Sequence, residues 1–339
     1  MANAIKTIPE DFQVEERMPF ELTGQGEHLW CWVEKRGMNT AFVEQQWAKL
    51  TGARRSEISH SGLKDRHAVT RQWLCLPAKY GERLPDRSEY GAEYWQIMKR
   101  VHHQRKLRIG THNANYFHII VRSVTVPPEI IAEQLQRIRQ HGVPNYFMEQ
   151  RFGRDNLERA LTWVAQNRLP AKAAERSMTL STLRAHLFNL ELDARRSAEC
   201  WQQLISGDRA LLSGSHSHFA VEEIDETLRA RCAAGDIAPA GWLAGAAKSA
   251  ATGKAGAIRQ QVLGAWTEVV AYLQQFAQED WRALCVFPQE LTAQWLDDAT
   301  LKLTFTLPRG SYATALLAEL LPVTDVSVDN GDNKPFRGC

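Results

Sequence analysis

The chain has 339 residues, 44% hydrophobic and 24% charged, with a formal net charge of +2. That length exceeds the size at which a single hydrophobic core keeps growing, so two domains are expected, and no run of about eighteen apolar residues is present to cross a membrane. Six cysteines (Cys31, Cys75, Cys200, Cys232, Cys285, Cys339) lie far apart without a C-x-x-C pair, which argues against structural zinc and a disulfide framework; most are expected as small buried apolar residues, and Cys339 as exposed.

The opening "MANAIKTIPEDFQVEE" has no basic region followed by an apolar stretch, so a cytoplasmic location is expected. "HLWCWVE" (His28 to Glu34) alternates Leu29, Cys31 and Val33 against His28, Trp30 and Trp32, the period of a half-buried strand. After the turn "KRGMN", Val43, Trp47 and Leu50 fall at helical spacing, and Gly52 ends the helix.

Charge is distributed unevenly behind the small net value. Residues 1–50 carry 5 Lys and Arg against 8 Asp and Glu, residues 51–141 carry 16 against 8, and residues 142–339 carry 20 against 23. The middle block includes "MKRVHHQRKLRIG" (Met98 to Gly110) beside Trp95, a mixture of cations and aromatics that suits either nucleic acid or a solvated basic face. Within the same block "ISHSGLKDRHAVTRQW" (Ile58 to Trp73) sets one acid, Asp65, between Lys64 and Arg66. A surface loop accepts that pattern, and so does an active site needing one ionised carboxylate in a field meant for a polyanion.

"NYFHIIVRS" (Asn115 to Ser123) is a strand with Asn115, Phe117, Ile119 and Val121 on one face. Further on, Leu180, Leu183, Leu187, Leu190, Ala194, Ala198, Trp201 and Leu204 keep a spacing of three or four, predicting one long helix with a buried stripe. Helical patterns recur around residues 222–232 and 256–279, separated by "CAAGDIAPAGWLAGAAKSAATGKAGA", whose small residues predict a mobile loop. "TLKLTFTL" (Thr300 to Leu307) alternates as a strand, and "DNGDNKPFRGC" reads as a frayed tail.

Several chemical signals fail. "AATGKAGA" lacks the earlier Gly and the Ser or Thr after Lys254 that a phosphate loop needs. His216 and His218 in "SGSHSHF" have no companion metal ligands and suit a strand end or polar loop. Neither a deaminase zinc signature nor a G-x-S-x-G elbow occurs.

Seven segments, "KTIPEDFQVEE", "GEHLWCWVEKRGMNT", "SGLKDRHAVTRQW", "RKLRIGTHNANYFHIIVR", "VPNYFMEQRFGRDN", "STLRAHLFN" and "LPRGSYATALL", run in order from Lys6 to Leu317. Together they resemble the TruD family of tRNA pseudouridine synthases. The resemblance implies an α+β fold. A catalytic domain with a mixed, mainly antiparallel sheet is built from residues 1–141 plus 287–339, and residues 142–286 form a helix-rich insertion, with RNA in a basic cleft between them. It also implies a cofactor-independent isomerase that acts on a uridine of tRNA, by family precedent uridine-13 of the D arm. Asp65 is then the nucleophile and Lys6 its electrostatic partner, while Phe12, Asn115, Phe117 and Tyr312 shape the pocket and Phe117 stacks on the flipped uracil. Lys64 and Arg66 are left to point toward phosphate. Attack at C1′, addition to the ring and help with a proton loss from the sugar all suit a carboxylate.

Two positions depart from the family pattern. Tyr312 stands where phenylalanine is usual, near the start of the last helix with Ser311 as its N-cap, and Met148 stands where glycine is usual. Arg151 in "EQRFG" suits a phosphate contact or a salt bridge with Glu149 or another carboxylate. A noncatalytic RNA-binding or RNA-folding protein is the competing class, and a glycosidase a third, which lacks a second carboxylate with a motif of its own. No metal, membrane or protein partner is implied, and a monomer is expected because no long exposed apolar stripe is evident.

Overall fold

A computed structural model describes residues 2–153, 155–246 and 252–327, with the main chain alone at Gln150. The polar tail from Asp329 and Cys339 lie outside the described residues. The chain divides into two compact units, one of Met1–Ile131, Pro288–Arg309 and Leu321–Cys339 and the other of Ala132–Phe287 and Gly310–Leu320. No helix among the described residues is long and apolar enough to cross a membrane.

The first unit takes its strands from both ends of the chain: β1 (Ala4–Ile5), β2 (Phe12–Arg17), β3 (His28–Arg36), β4 (Ser59–His60), β5 (Val69–Pro77), β6 (Arg87–Tyr90), β7 (Glu93–His103), β8 (Ala114–Val121), β9 (Gln289–Asp297), β10 (Thr300–Pro308) and β11 (Thr324–Asp325). Nine of them form a mixed sheet in the order β9-β10-β8-β2-β5-β3-β7-β6, with β4 added to β5. Within it the pairing is antiparallel except between β2 and β5. The strands β1 and β11 pair in parallel as a separate ribbon.

Alternation decides which side chains meet. Register sets Phe305 opposite Phe117 and Leu303 opposite Ile119, while Val14 lies opposite Phe117 and Phe12 opposite Ile119. These residues therefore share one face. On β10, Leu301, Leu303, Phe305 and Leu307 are all fully buried, as their spacing requires. The strand β3 is buried more completely than its alternation suggests. Trp30 is as enclosed as Leu29 and Cys31, because its ring packs with Cys75 and Leu107 and its indole N–H donates to the Arg105 carbonyl at 2.9 Å.

Helix α1 (Thr40–Thr51) begins at Asn39, whose side chain accepts from Phe42 N, and stops at Gly52, whose φ of 77° is the left-handed value that favours glycine. Val43 and Trp47 face the core, with the Trp47 ring 5.9 Å from Trp95. Leu50, expected on the same stripe, is instead exposed. The buried position in that turn belongs to Thr51, whose hydroxyl donates back to the Trp47 carbonyl.

The second unit is organised by α2 (Ala173–Ser197), against which helices Asn156–Ala165, Gly253–Leu263 and Thr267–Phe276 gather an apolar core around Leu183, Leu187 and Leu273. The predicted stripe continues past its real end: Ala198 caps α2, and Trp201 and Leu204 lie beyond it. The physical cause is Arg195. Its buried guanidinium donates to the Cys200 and Gln203 carbonyls and to both oxygens of Asp208, and Glu199 turns to a φ of 51°. These bonds satisfy a chain that reverses rather than one that continues as helix.

The small-residue segment read as a mobile loop holds a buried strand, Ile237–Leu243. It lies in a four-stranded antiparallel sheet with His218–Ala220, Arg209–Leu212 and Asp280–Ala283. Small residues here serve close packing. A Cβ on Gly241 would stand 2.6 Å from the Phe188 ring of α2 and 2.8 Å from Leu284. Its neighbour Trp242 donates its main-chain N–H to Glu191, which is bound in turn by Arg259.

The pair formed by Arg195 and Asp208 is enclosed on both sides, at 1% and 2% exposure. Asp208→Asn is expected to lower the unfolding free energy by about 3–5 kcal/mol, because it leaves a buried guanidinium without its counter-charge. Urea denaturation followed by tryptophan fluorescence checks this; a loss below about 1 kcal/mol would mean that water already reaches the pair.

Candidate active site

The site is built where β1 ends. Ile5 pairs with Asp325 across the parallel ribbon, and the next residue, Lys6, takes a φ of 57° that turns the chain off the strand. Its ammonium lies 2.9 Å from Asp325 Oδ2 and 3.3 Å from Asp65 Oδ2, and 4.8 Å from the centre of the Phe12 ring. The Lys6 side chain is 5% exposed, Asp65 35% and Asp325 26%. Burial penalises the Lys6 charge, but the two carboxylates outweigh it and hold its pKa above the ordinary lysine value. Asp325 is also desolvated, yet Lys6 and Ser327 keep its pKa below the usual aspartate range. The structure thus brings together Asp65 and Lys6, which were expected to meet, and adds Asp325, which was not foreseen.

Aromatic residues lie beside this cluster. The Phe12 ring meets Phe117 edge-on at 6.3 Å, and Phe117 stacks on Phe305 at 5.3 Å with planes 26° apart. Phe12 is 2% exposed and Phe117 6%, so both belong to the sheet core, and Phe305 covers one side of the Phe117 ring. Asn115, two residues earlier on β8, has a buried side-chain oxygen without a hydrogen-bond partner among the described residues. An unpaired amide oxygen at such a place carries a desolvation cost that a ligand donor would relieve.

The loop that carries Asp65 is fastened from beneath. Lys35, fully buried on β3, donates to the Asp65 carbonyl at 2.8 Å and to the Met38 carbonyl at 2.5 Å, which ties the turn after β3 to the loop after β4. Lys64 does not point toward phosphate: its ammonium is enclosed and 2.7 Å from Glu16, whose other oxygen accepts the Trp73 N–H. Arg66, though 36% exposed, is bonded within the unit, donating to the Gly37 carbonyl and to Glu93. Both cations are taken up because the loop is anchored through them. At the loop's start Ser61 Oγ lies 2.6 Å from His112 Nδ1 and accepts the His112 main-chain N–H, while Gly110 N donates to the Ser61 carbonyl. That last bond joins the Asp65 loop to the basic turn in which Arg105, Lys106 and Arg108 are exposed. Burial, with the nearby Lys64 and Arg309 charges, drives the His112 pKa down to about 3, so it is neutral at physiological pH.

The remaining predicted residues belong to the second unit. Tyr312 meets the Phe147 ring edge-on at 6.1 Å and directly precedes α3 (Ala313–Leu320), so Ser311 lies one residue outside the cap position assigned to it. Met148 has φ −96° and ψ 175°, an ordinary extended conformation that any side chain adopts, so the change from glycine strains nothing here. Arg151 makes no ion pair with Glu149 among the described residues; it lies 5.8 Å from the Phe147 ring centre and contacts Ser181.

Lys35 and Asp325 were missed for different reasons: Lys35 stands between the charged Glu34 and Arg36 at the end of a strand, where nothing sets it apart, and Asp325 lies outside every quoted segment. Burial pushes the Lys35 pKa down to about 7, against an ordinary value of 10.5. In that interval the unfolded chain binds a proton that the folded chain has released, so stability due to Lys35 rises with pH across it and is lowest below it. The stability advantage of wild type over Lys35→Met should therefore grow by about 1–3 kcal/mol between about pH 7 and about pH 9. Urea melts of both proteins at the two pH values test this, and a flat or falling difference would rule out a neutral Lys35.

A sequence profile of the family described as "tRNA pseudouridine synthase D (TruD)" matches residues 1–164 and 158–320. Among curated relatives, the tRNA pseudouridine synthase D of Proteus mirabilis is 35% identical over 96% of this chain and 94% of its own. Proteins of the same name from Hydrogenovibrio crunogenus and Pseudomonas entomophila are each 37% identical over 94% of this chain, covering 92% and 90% of their own lengths. A crystal structure named for a tRNA pseudouridine synthase D (TruD) from Methanosarcina mazei superposes with a TM-score of 0.67 at 20% identity, covering 94% of this chain and 93% of that one, which supports the α+β fold. With the Asp65 motif in place and similarity along almost its whole length, the chain belongs to the tRNA pseudouridine synthase D (TruD) family.

Proposed function

We propose that this protein is a tRNA pseudouridine synthase that isomerises one uridine, uridine-13 of the D arm, with Asp65 as the nucleophile. The observation that carries the reading is the contact of the buried Lys6 ammonium with Asp65, 3.3 Å apart. A lysine so enclosed is costly unless its charge is paired, and here it lies against a carboxylate whose side chain stays 35% exposed. The names carried by the relatives support the same chemistry.

The reaction breaks the ribose C1′–N1 bond and forms C1′–C5; the C5 proton leaves and N1 gains one, with no net change in atoms or electrons. An ionised oxygen beside the sugar is the reagent this requires, and no redox partner enters the balance. Before reaction the uridine must leave its stack, at a cost of a few kcal/mol. Phe12 and Phe117, packed in the sheet core, back the site as an apolar floor, and the unpaired Asn115 oxygen offers an acceptor for a ring N–H or a sugar hydroxyl. The exposed Arg105, Lys106 and Arg108, on the turn bonded to the Asp65 loop, provide phosphate contacts.

A noncatalytic RNA-folding protein would make equal use of the basic turn, but it has no need of a lysine desolvated against an aspartate. Incubation of unmodified tRNA with the protein should give pseudouridine at position 13 by site-resolved mapping. Asp65→Asn should abolish turnover while tRNA affinity stays within a few-fold. Binding without modification identifies a chaperone, release of free uracil identifies a glycosidase, and turnover by Asp65→Asn removes the nucleophile assignment.

A further inference from the structure

Asp325 shares the Lys6 ammonium with Asp65 and has no part in the scheme above. Its placement is specific. One oxygen, Oδ1, accepts from Ser327 N at 3.1 Å and from the Ser327 hydroxyl at 2.6 Å, which leaves Oδ2 aimed at Lys6 Nζ at 2.9 Å. The main chain fixes the same geometry, since Thr324 N donates to the Asn3 carbonyl and Val326 N to the Ile5 carbonyl, on either side of the Ile5–Asp325 pair. The charged groups that meet Lys6 are Asp65 from the loop after β4 and Asp325 from β11, and the Phe12 ring of β2 presents its face. Lys35 approaches that loop from β3 but is committed to main-chain oxygens.

We propose that Asp325 is a positioning residue of the isomerisation, a permanent counter-ion that holds Lys6 beside the ribose during the steps in which Asp65 is not an anion. The proposal rests on the reading of Asp65 as the reactive carboxylate. An aspartate oxygen that bonds to C1′ as N1 departs with the bonding pair loses its negative charge, and so does one that takes a proton from the sugar. With Asp65 as its sole partner, Lys6 would then be a buried ammonium with no anion, and it would swing away or lose its proton. Asp325 takes no part in bond making, so it keeps the cation paired and in register for the return of Asp65 to its ionised form. The tighter of the two contacts is the one to Asp325, as an anchor requires.

The test compares wild type, Asp325→Asn and Asp325→Glu in single-turnover modification of tRNA at neutral pH, with binding and thermal melting in parallel. The isosteric amide should lower the single-turnover rate by about tenfold to a hundredfold, as misplacement of a catalytic group does, with tRNA affinity within about twofold. Asp325→Glu, which keeps the anion for Lys6, should recover the rate to within about threefold of wild type although it is the larger change in shape. An Asp325→Glu rate no higher than that of Asp325→Asn overturns the proposal, since a merely structural role follows shape and melting rather than charge. If Asp65→Asn is inactive while Asp325→Asn matches wild type, this inference alone falls; if Asp65→Asn turns over, the parent reading falls with it.

Discussion

The structure around the site depends on keeping one ammonium, Lys6, charged in a place almost closed to water. Burial works against that charge, and two carboxylates from segments remote in sequence restore it. Meeting this constraint accounts for several other features. The backbone turns at Lys6 into a left-handed conformation that costs energy for a side chain of this kind, and the parallel pairing of β1 with β11 supplies main-chain bonds that hold it there. The Asp65 loop has to present its carboxylate from a fixed position, and its hydrogen bonds to Lys35, Thr40, Gln72 and the Gly110 turn do this.

The basic middle block shows how the same residue type divides between interior and surface duty. Lys64 closes on Glu16, Arg66 on Glu93, Arg100 on Asp86 and Arg122 on Asp11, so these charges are spent within the unit. Arg105, Lys106 and Arg108 remain exposed on a turn that is bonded to Ser61, four residues before Asp65. Net charge counted along the sequence therefore overstates what is presented to a polyanion, and geometry returns part of it to the right place.

Legibility differed between elements for physical reasons. The strands β8 and β10 were readable because a period of two leaves a clear mark when one face is buried, and helix α1 because Gly52 stops it. The strand at Ile237–Leu243 was not, since small residues that permit close packing against Phe188 look the same in a sequence as small residues of a loop. The end of α2 escaped because Arg195 decides it through distant carbonyls, while the apolar spacing runs on undisturbed. In the site, Asp65 and Lys6 stood in motifs that mark them. Lys64 stood in the same motif and was misread, because its partner Glu16 is remote in sequence; Lys35 passed among its charged neighbours Glu34 and Arg36, and Asp325 lay outside every quoted segment.

The bond between Lys6 and Asp325 spans 319 positions of sequence, and the ribbon that supports it joins the first strand to one made after the second unit. Closing so long a loop is entropically slow and comes after more local structure has formed. The second unit, whose segment Ala132–Phe287 lies between the two halves of the first, leaves the ribosome before that ribbon can pair. A nascent chain therefore carries its cationic turn well before Lys6 gains its second carboxylate, so the ammonium stays half-paired until growth has passed the whole second unit.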